Sequence, residues 1–271
     1  MPLPIQHLPC DADRPIQVVQ LSDPHLFVDL KGCLLGMNTE NSFQEVLQLV
    51  AEQQPQIDLV LVTGDIAQAP AIETYARFYQ SVERFHAPQY WLQGNHDIDH
   101  LFERDPCTGP AILGIGHWRV IMLNSSVDHE VAGEFNPSEL LWLEEALEQC
   151  RGHYTIVALH HHPVPVGSFW LDQHMLTNTL PFWRLLDRFP DVQTVIHGHV
   201  HQQVDVQYGR VRVLACPSTC IQFKPKSHEF ALDAAAPGYR WLRLLPNGQI
   251  ETGVERLERI PPGVDFASLG Y

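Results

Sequence analysis

Residues 16–25 have the sequence Ile-Gln-Val-Val-Gln-Leu-Ser-Asp-Pro-His, and this stretch decides the fold. Its first six residues are mostly apolar, which predicts a β-strand that is covered on both faces. The strand runs directly into Asp23 and His25, two side chains that bind metal ions in many proteins. Loops after the carboxyl ends of strands are where α/β sheets build their functional sites. The stretch therefore predicts a buried sheet with a polar site at one end.

Similar strands recur along the chain and alternate with longer amphipathic stretches. Further strands are predicted at 57–62, 89–92, 120–123, 155–159, 194–196, 211–215, 240–244 and 249–254. Helices are predicted at 39–53, 71–85, 137–149 and 179–189. Strand–helix units followed by more strands are typical of a layered α/β domain whose sheets pack face to face between helices.

Five of the predicted strands end in residues that are able to bind metal ions. In chain order these ends are Ser22-Asp23-Pro24-His25, Thr63-Gly64-Asp65, Gly94-Asn95-His96-Asp97, His160-His161-His162 and His197-Gly198-His199-Val200-His201. Carboxylates and neutral imidazoles together suit Fe, Mn, Zn or Co, and one aspartate can bridge two ions about 3.5–4 Å apart. Each motif alone is a weak signal, because Gly-Asp is common in turns. Five such motifs in order predict a metal site at one edge of the sheets.

The composition argues against several other classes of protein. A chain of 271 residues is long enough for one large domain with a buried core. Its net charge of -15 argues against nucleic-acid binding through a basic surface, and bound metal ions would reverse the negative sign locally. No apolar run approaches the roughly 18 residues of a membrane span, and the N-terminus does not resemble a secretory signal. We therefore expect a cytoplasmic protein with no membrane partner, and its six scattered cysteines favour reduced thiols.

Together the five motifs resemble the signature of the calcineurin-like metallophosphoesterases. The resemblance implies a four-layer α/β/β/α sandwich, with two mixed sheets flanked by helices and a dinuclear centre at one end. Carried over residue by residue, it implies that one ion is held by Asp23, His25, Asp65 and His201. The second ion is then held by Asp65, Asn95, His160 and His199, so that Asp65 bridges the pair. The domain is expected to cover residues 15–258, between an N-terminal extension (1–14) and a C-terminal tail or lid (259–271).

Two further segments and the closing three residues narrow the resemblance to one subfamily. Residues 167–174 and 217–225, and the closing Leu-Gly-Tyr, are similar to segments of the bacterial class III cyclic-AMP phosphodiesterases of the CpdA/Icc type. This likeness implies hydrolysis of 3′,5′-cyclic AMP to 5′-AMP by a hydroxide that bridges the two ions. The implied cofactors are iron paired with iron or manganese, with Zn, Co or Mg as alternatives. The oligomeric state stays open.

His96 stands beside a ligand but is not a metal ligand in this family. We predict that it contacts the substrate phosphate and protonates the leaving alkoxide as a general acid. The substrate is also expected to touch His25, Asp65, Asn95 and His201. Asp97 either orients His96 or caps a turn, and His161 and His162 are candidates for orienting a ligand. Trp170 and Phe223 either stack on a purine or pack in the core.

Three other functions compete with cyclic-AMP hydrolysis. The same metal chemistry serves other phosphodiesters, such as 2′,3′-cyclic nucleotides and glycerophosphodiesters, because function on a shared fold depends on the site. A non-catalytic scaffold of the same fold should have lost ligands, and this sequence retains all seven together with His96. A nuclease for long DNA conflicts with the negative charge.

Overall fold

The computed structural model describes residues 2–97 and 108–270, and these residues form an α/β structure with two large mixed sheets. The strands of the described residues are, in chain order, β1 (Ile5–His7), β2 (Ile16–Leu21), β3 (Cys33–Leu34), β4 (Met37–Asn38), β5 (Leu59–Thr63), β6 (Gln89–Leu92), β7 (Ala111–Ile115), β8 (Trp118–Met122), β9 (Tyr154–Ala158), β10 (Val192–His197), β11 (Val204–Tyr208), β12 (Val211–Ala215), β13 (Gly238–Leu244) and β14 (Ile250–Arg256). The helices of the described residues are α1 (Thr39–Gln53), α2 (Ile72–Val82), α3 (Pro137–Gln149), α4 (Phe169–Asp172) and α5 (Thr179–Leu186), and a 3-10 turn (Glu83–Phe85) follows α2.

The smaller of the two large sheets has the strand order β14-β13-β2-β5-β6. Strands β2, β5 and β6 run parallel, so their carboxyl ends meet at one edge. Strand β13, from the last part of the chain, pairs antiparallel with both β2 and β14. Strand β2 is thus enclosed between β5, which is close in sequence, and β13, which is more than 200 residues away.

The larger sheet has the order β1-β7-β8-β9-β10-β12-β11. Its central strands β8, β9, β10 and β12 are parallel, and β7 and β11 are each antiparallel to a neighbour. Strand β1 lies within the predicted N-terminal extension and pairs in parallel with β7. A third, two-stranded sheet is formed by β3 and β4.

Three buried apolar clusters separate four layers. Between the two large sheets, residues such as Leu61 and Ile196 pack together. On the outside of the smaller sheet, α1 and α2 bury side chains that include Phe43 and Phe78. On the outside of the larger sheet, α3 and α5 bury side chains that include Phe182. This α/β/β/α arrangement confirms the predicted fold class.

Local sequence explains where the main helices begin. The side chain of Asn38 accepts a hydrogen bond from the backbone N–H of Asn41 at the start of α1 (2.7 Å). Asn136 caps α3 in the same way through Glu139 (2.9 Å), and Pro137 occupies the first turn, where its missing N–H costs nothing. Within the described ranges 2–97 and 108–270, no helix is long and apolar enough to cross a membrane.

Candidate dinuclear metal centre

The predicted ligands lie at the carboxyl ends of strands from both large sheets. Asp23 and His25 follow β2, Asp65 follows β5 and Asn95 follows β6, all in the smaller sheet. The larger sheet contributes the other three: His160 follows β9, and His199 and His201 follow β10. The structure brings all seven side chains and His96 together at the junction of the two sheets.

One group of ligand atoms is formed by Asp23, His25 and His201. The Nε2 atoms of His25 and His201 lie 3.1 Å apart, and His201 Nε2 is 3.5 Å from Asp23 Oδ1. All three side chains are buried. Asp65 Oδ2 approaches this group at 3.7 Å from His25 Nε2.

A second group is formed by Asn95, His160 and His199. Asn95 Oδ1 lies 3.2 Å from His160 Nε2 and 3.1 Å from His199 Nδ1, and those two nitrogens are 3.2 Å apart. Asp65 Oδ2 is 3.3 Å from His160 Nε2. The same oxygen of Asp65 therefore stands between both groups, where a bridging ligand would have to lie.

Hydrogen bonds behind the rings fix how three of the histidines face the centre. Nδ1 of His25 contacts Gln68 Oε1 (2.7 Å), Nδ1 of His160 contacts Thr63 O (2.7 Å), and Nδ1 of His201 contacts Ile221 O (2.9 Å). Because carbonyl oxygens only accept, each of these nitrogens carries the hydrogen and donates it. Each Nε2 is then left facing other acceptors, an arrangement that a cation stabilises. The donor set thus fits a pair of metal ions.

The charges of the buried groups agree with this fit. Burial lowers the pKa of His25 to about 3 and holds the pKa of His199 well below its ordinary value, so both rings are neutral. Burial also acts to lower the pKa of His160, but the Asp65 carboxylate overcomes it and raises that pKa to about 9. Although burial alone would raise it, His160 in turn keeps the pKa of Asp65 well below its usual range. Without a metal ion, a proton on His160 balances Asp65.

The backbone of these residues is unusual. Five of the seven predicted ligands have a positive φ, a conformation that side-chain-bearing residues rarely adopt. The angles are 53° at Asp23, 47° at His25, 51° at Asp65, 66° at His199 and 47° at His201. Backbone hydrogen bonds hold the strands' ends in this shape, such as those from Asp23 N to Gly64 O and from His25 N to Asp65 O (3.0 Å each). Such strain concentrates at functional sites.

Two glycines allow the loops to pack this closely. A methyl group at Gly94 would overlap Oδ1 of Asp65, and one at Gly198 would overlap Ser22 Oγ and press on Asp23 Oδ2. Any larger residue would displace a predicted ligand. Both positions require glycine for close approach and not for a turn conformation.

His96 is placed differently from the ligands. Its backbone N–H donates to Asp65 Oδ1 (2.8 Å), and its ring lies edge-on to His25 at 4.9 Å between ring centres. A ring nitrogen of His96 lies within 4.8 Å of ligand atoms of His25 and Asp65. His96 is only partly buried, unlike the histidines among the predicted ligands.

The sequence left open whether Asp97 orients His96 or caps a turn, and its hydrogen bonds support the turn-capping role. Its carboxylate accepts hydrogen bonds from the backbone N–H groups of Gly94 (2.9 Å), Ile66 (3.3 Å) and Ala67 (3.2 Å), and from the Tyr75 hydroxyl (2.8 Å). These bonds join the loops after β5 and β6. Burial, together with nearby Asp65, raises the pKa of Asp97 to about 6.

His161 and His162 support the centre from behind. His161 Nδ1 contacts Ser125 Oγ (2.9 Å) and its Nε2 contacts Val131 O (3.1 Å), so both of its nitrogens are engaged with the loop after β8. His162 lies nearly parallel to the His199 ring at 5.6 Å, with Asp172 Oδ1 3.5 Å from its Nε2. Sequence spacing gave no signal for Gln68 or Ser125, because partners of this kind depend on the tertiary fold.

Trp170 and Phe223 pack against each other. The buried Phe223 ring stacks on His201 (4.2 Å between centres, 14° between planes), and Trp170 meets Phe223 edge-on at 5.0 Å. Both belong to an apolar cluster next to β3 and β4. For the buried Phe223 this is the core-packing role of the two considered from the sequence, whereas Trp170 is only partly buried.

The chain belongs to the calcineurin-like phosphoesterase family, because a sequence model described as "Calcineurin-like phosphoesterase" matches residues 16–203. Among curated proteins, it is 41% identical over 267 residues to the "3',5'-cyclic adenosine monophosphate phosphodiesterase CpdA" of Pseudomonas aeruginosa, covering 96% of each chain. It is 39% identical over 269 residues to the protein of the same name from Escherichia coli (strain K12), covering 97% of this chain and 98% of the relative.

Solved structures agree on the fold. A dimetal phosphatase from Danio rerio superposes with a TM-score of 0.62 at 12% identity, covering 93% of this chain and all of the other. A purple acid phosphatase from yellow lupin superposes with a TM-score of 0.64 at 14% identity, covering 92% of this chain and 53% of the other. At such low identity these similarities concern the fold alone.

Proposed function

We propose that this protein hydrolyses 3′,5′-cyclic AMP to 5′-AMP at a dinuclear metal centre. The observation that carries the proposal is the position of Asp65 Oδ2, which lies 3.7 Å from His25 Nε2 in one ligand group and 3.3 Å from His160 Nε2 in the other. The substrate is suggested by relatives that match nearly the whole chain and are named cyclic-AMP phosphodiesterases.

In this proposal the seven ligands divide between two ions. Asp23, His25, Asp65 and His201 hold one ion, and Asp65, Asn95, His160 and His199 hold the other. The mixture of nitrogen and oxygen donors suits iron, manganese, zinc and cobalt, and the pair proposed is iron with iron or manganese. An all-oxygen site, which magnesium prefers, does not match four histidines.

When bound, the ions lower the pKa of a water molecule and neutralise charge on the phosphoryl oxygens. The water would lose one proton to solvent as its oxygen forms a bond to phosphorus and the bond from phosphorus to the 3′ oxygen breaks. His96, whose ring lies beside His25, would donate a proton to the departing 3′ oxygen. Its backbone N–H meanwhile holds Oδ1 of Asp65, which leaves Oδ2 directed at both ligand groups.

A panel of substrates tests the proposal directly. Turnover of cyclic AMP, cyclic GMP, 2′,3′-cyclic AMP and bis(p-nitrophenyl) phosphate should be measured, with metal content determined on the same preparation. We expect two ions per chain and the highest kcat/KM for cyclic AMP. Negligible turnover of cyclic AMP beside rapid turnover of another diester would reject the substrate and favour the alternative phosphodiesterase function.

Replacing His96 tests its role as the proton donor. His96→Ala should retain two ions per chain but lose about 10²–10⁴-fold in kcat on cyclic AMP, as expected for loss of a general acid. The loss should be much smaller on bis(p-nitrophenyl) phosphate, because p-nitrophenolate departs without a proton. His129→Ala is the control, since that side chain is 92% exposed. Equal losses on both substrates would remove His96 from the proton-transfer step.

A further inference from the structure

We infer that residues 217–223, here called the clamp loop, set the geometry of one ion site by positioning Asp23 and His201. Ser218 and Phe223 are the positioning residues. The inference rests on the proposed assignment of these two ligands to the same ion. It assigns a role to a segment that contributes no proposed ligand.

Ser218 holds the backbone of Asp23. Its buried hydroxyl donates to the carbonyl oxygen of Asp23 (2.6 Å), and the Ser218 hydroxyl oxygen itself accepts from the backbone N–H of Cys220 (2.8 Å). Since Asp23 has a φ of 53°, the hydrogen bond from Ser218 to its carbonyl oxygen stabilises a backbone conformation that an aspartate does not prefer.

The other end of the clamp loop holds His201 at three points. The Phe223 ring stacks on the imidazole at 4.2 Å, which fixes the plane of the ring. The carbonyl oxygen of Ile221 accepts the Nδ1 hydrogen (2.9 Å), which fixes the tautomer that leaves Nε2 free to bind a metal. The backbone N–H of Phe223 donates to the carbonyl oxygen of His201 (3.3 Å), whose φ is 47°.

The clamp loop is itself held rigidly. The Gln222 side-chain amide donates to the carbonyl oxygens of Ser218 (2.8 Å) and Cys220 (3.0 Å), which closes the loop on itself. Arg256, on β14, donates to Gln222 Oε1 (3.0 Å) and ties the loop to the sheet. The loop therefore provides a fixed frame, and the two ligands adopt the positions that it imposes.

The clamp loop contacts the ligands of only one of the two proposed ion sites. The clamp loop contacts Asp23 and His201, which share one proposed ion, whereas His160 is fixed from Thr63 at the end of β5. Loss of a contact from the clamp loop should weaken one site first. Residues that orient metal ligands typically contribute 10–100-fold to metal affinity.

The test uses the full-length protein, stripped of metal and titrated with Mn²⁺ alone. Binding isotherms count the sites, and electron paramagnetic resonance distinguishes a coupled manganese pair from a single ion with its six-line spectrum. We expect wild type to bind two ions as a coupled pair. Ser218→Ala should bind one ion with wild-type affinity and the other 10–100-fold more weakly, with the six-line spectrum at low Mn²⁺.

Ser42→Ala is the matched control. Ser42 is also buried, and its hydroxyl donates over the same distance (2.6 Å) to the same loop, but its partner is the carbonyl oxygen of Thr219. Thr219 is neither a proposed ligand nor one of the two positioning residues. Ser42→Ala should therefore keep the coupled pair. An equal loss of one ion in both variants would mean that general loop stability is responsible, and would overturn the inference.

A second pair of variants tests the other end of the clamp loop. Phe223→Leu should also lose the coupled pair, because a leucine does not stack on the imidazole. Phe230→Leu should retain it, since Phe230 packs edge-on in the same cluster, against Phe223 and Trp170. Two wild-type sites in both Ser218→Ala and Phe223→Leu would overturn the inference. A wild-type protein that binds fewer than two Mn²⁺ would instead contradict the proposed metal pair.

Discussion

At the scale of single residues, the centre depends on which ring nitrogen of each histidine carries a hydrogen. His25, His160 and His201 each donate from Nδ1 to an oxygen behind the ring and present Nε2 to the centre. His199 is reversed, because its Nδ1 faces Asn95 and His160. Sequence motifs identify the histidines but not the nitrogen used, since the partner behind each ring comes from a distant part of the chain.

One prediction follows from the proton on His160. Its pKa of about 9 lies above neutral pH, so in the metal-free protein His160 is protonated at pH 7. Metal binding requires the neutral ring and must release that proton. Metal affinity should therefore rise as pH increases from 7 toward 9. Calorimetric titration of Mn²⁺ at pH 7, in buffers with different ionisation enthalpies, would measure the release; heat independent of the buffer would contradict it.

At the scale of elements, the loops after the parallel strands bring the predicted ligands together because glycines let these loops pack closely, with no side chain between them. The loop after β6 lies against Asp65 at Gly94, and the loop after β10 lies against Ser22 and Asp23 at Gly198. The two sheets are also joined there by Gln20, whose side-chain amide donates to His197 O (3.1 Å). The ends of the strands therefore form one continuous surface.

Gly94→Ala should disrupt the packing of the loop after β6 against Asp65. The added methyl group overlaps Asp65 Oδ1, so Asp65 must move away from both ligand groups. We expect loss of both ions at micromolar metal and a fall in turnover of at least about 10²-fold, on the scale of losing ligand orientation. Gly270→Ala, where a methyl group meets nothing within 4 Å, is the control. Two retained ions in Gly94→Ala would show that the loop adapts.

The elements also show how far sequence reasoning reaches. Strands β2, β6 and β12 and helices α1 and α3 begin and end where the pattern predicts, because strong apolar runs or caps define them. Strand β11 was missed because its residues are mostly exposed and it pairs at the edge of the sheet. The place of β13 between β14 and β2 is set by tertiary pairing, which no local pattern encodes. The seven ligands could be predicted because their residue types and order are distinctive, and the structure brings these residues together.

At the scale of the whole molecule, the proposed ions would join two sheets. Asp23 and Asp65 extend from the smaller sheet, whereas His160 and His201 extend from the larger one. The large negative charge of the chain, -15, is thus opposed locally at the junction of the two sheets. Binding that occurs only in the folded state adds to the free energy of unfolding.

Removing the metal should therefore destabilise the protein. A metal concentration 100 times the dissociation constant adds about 2.7 kcal/mol per site, and about 1 kcal/mol shifts the Tm of a large domain by roughly 2–4 °C. Chelation should lower Tm by at least about 5 °C, as measured by differential scanning calorimetry. Asp65→Ala, which has no ligand oxygen at the proposed bridging position, is the control and should show almost no chelator effect. An equal shift in both proteins would place the stabilising metal elsewhere.

The position of β13 has a consequence for how the protein is made. A ribosome delivers Asp23 early, but β2 gains its second neighbour only when residues 238–244 have emerged. At about 5–20 residues per second, that interval is on the order of 10 to 45 seconds. During it, the unpaired edge of β2 is open to wrong partners, and the histidines at 199 and 201 arrive only near its end. Metal acquisition is thus a late event in biogenesis, and a truncated nascent chain has no complete centre to fill.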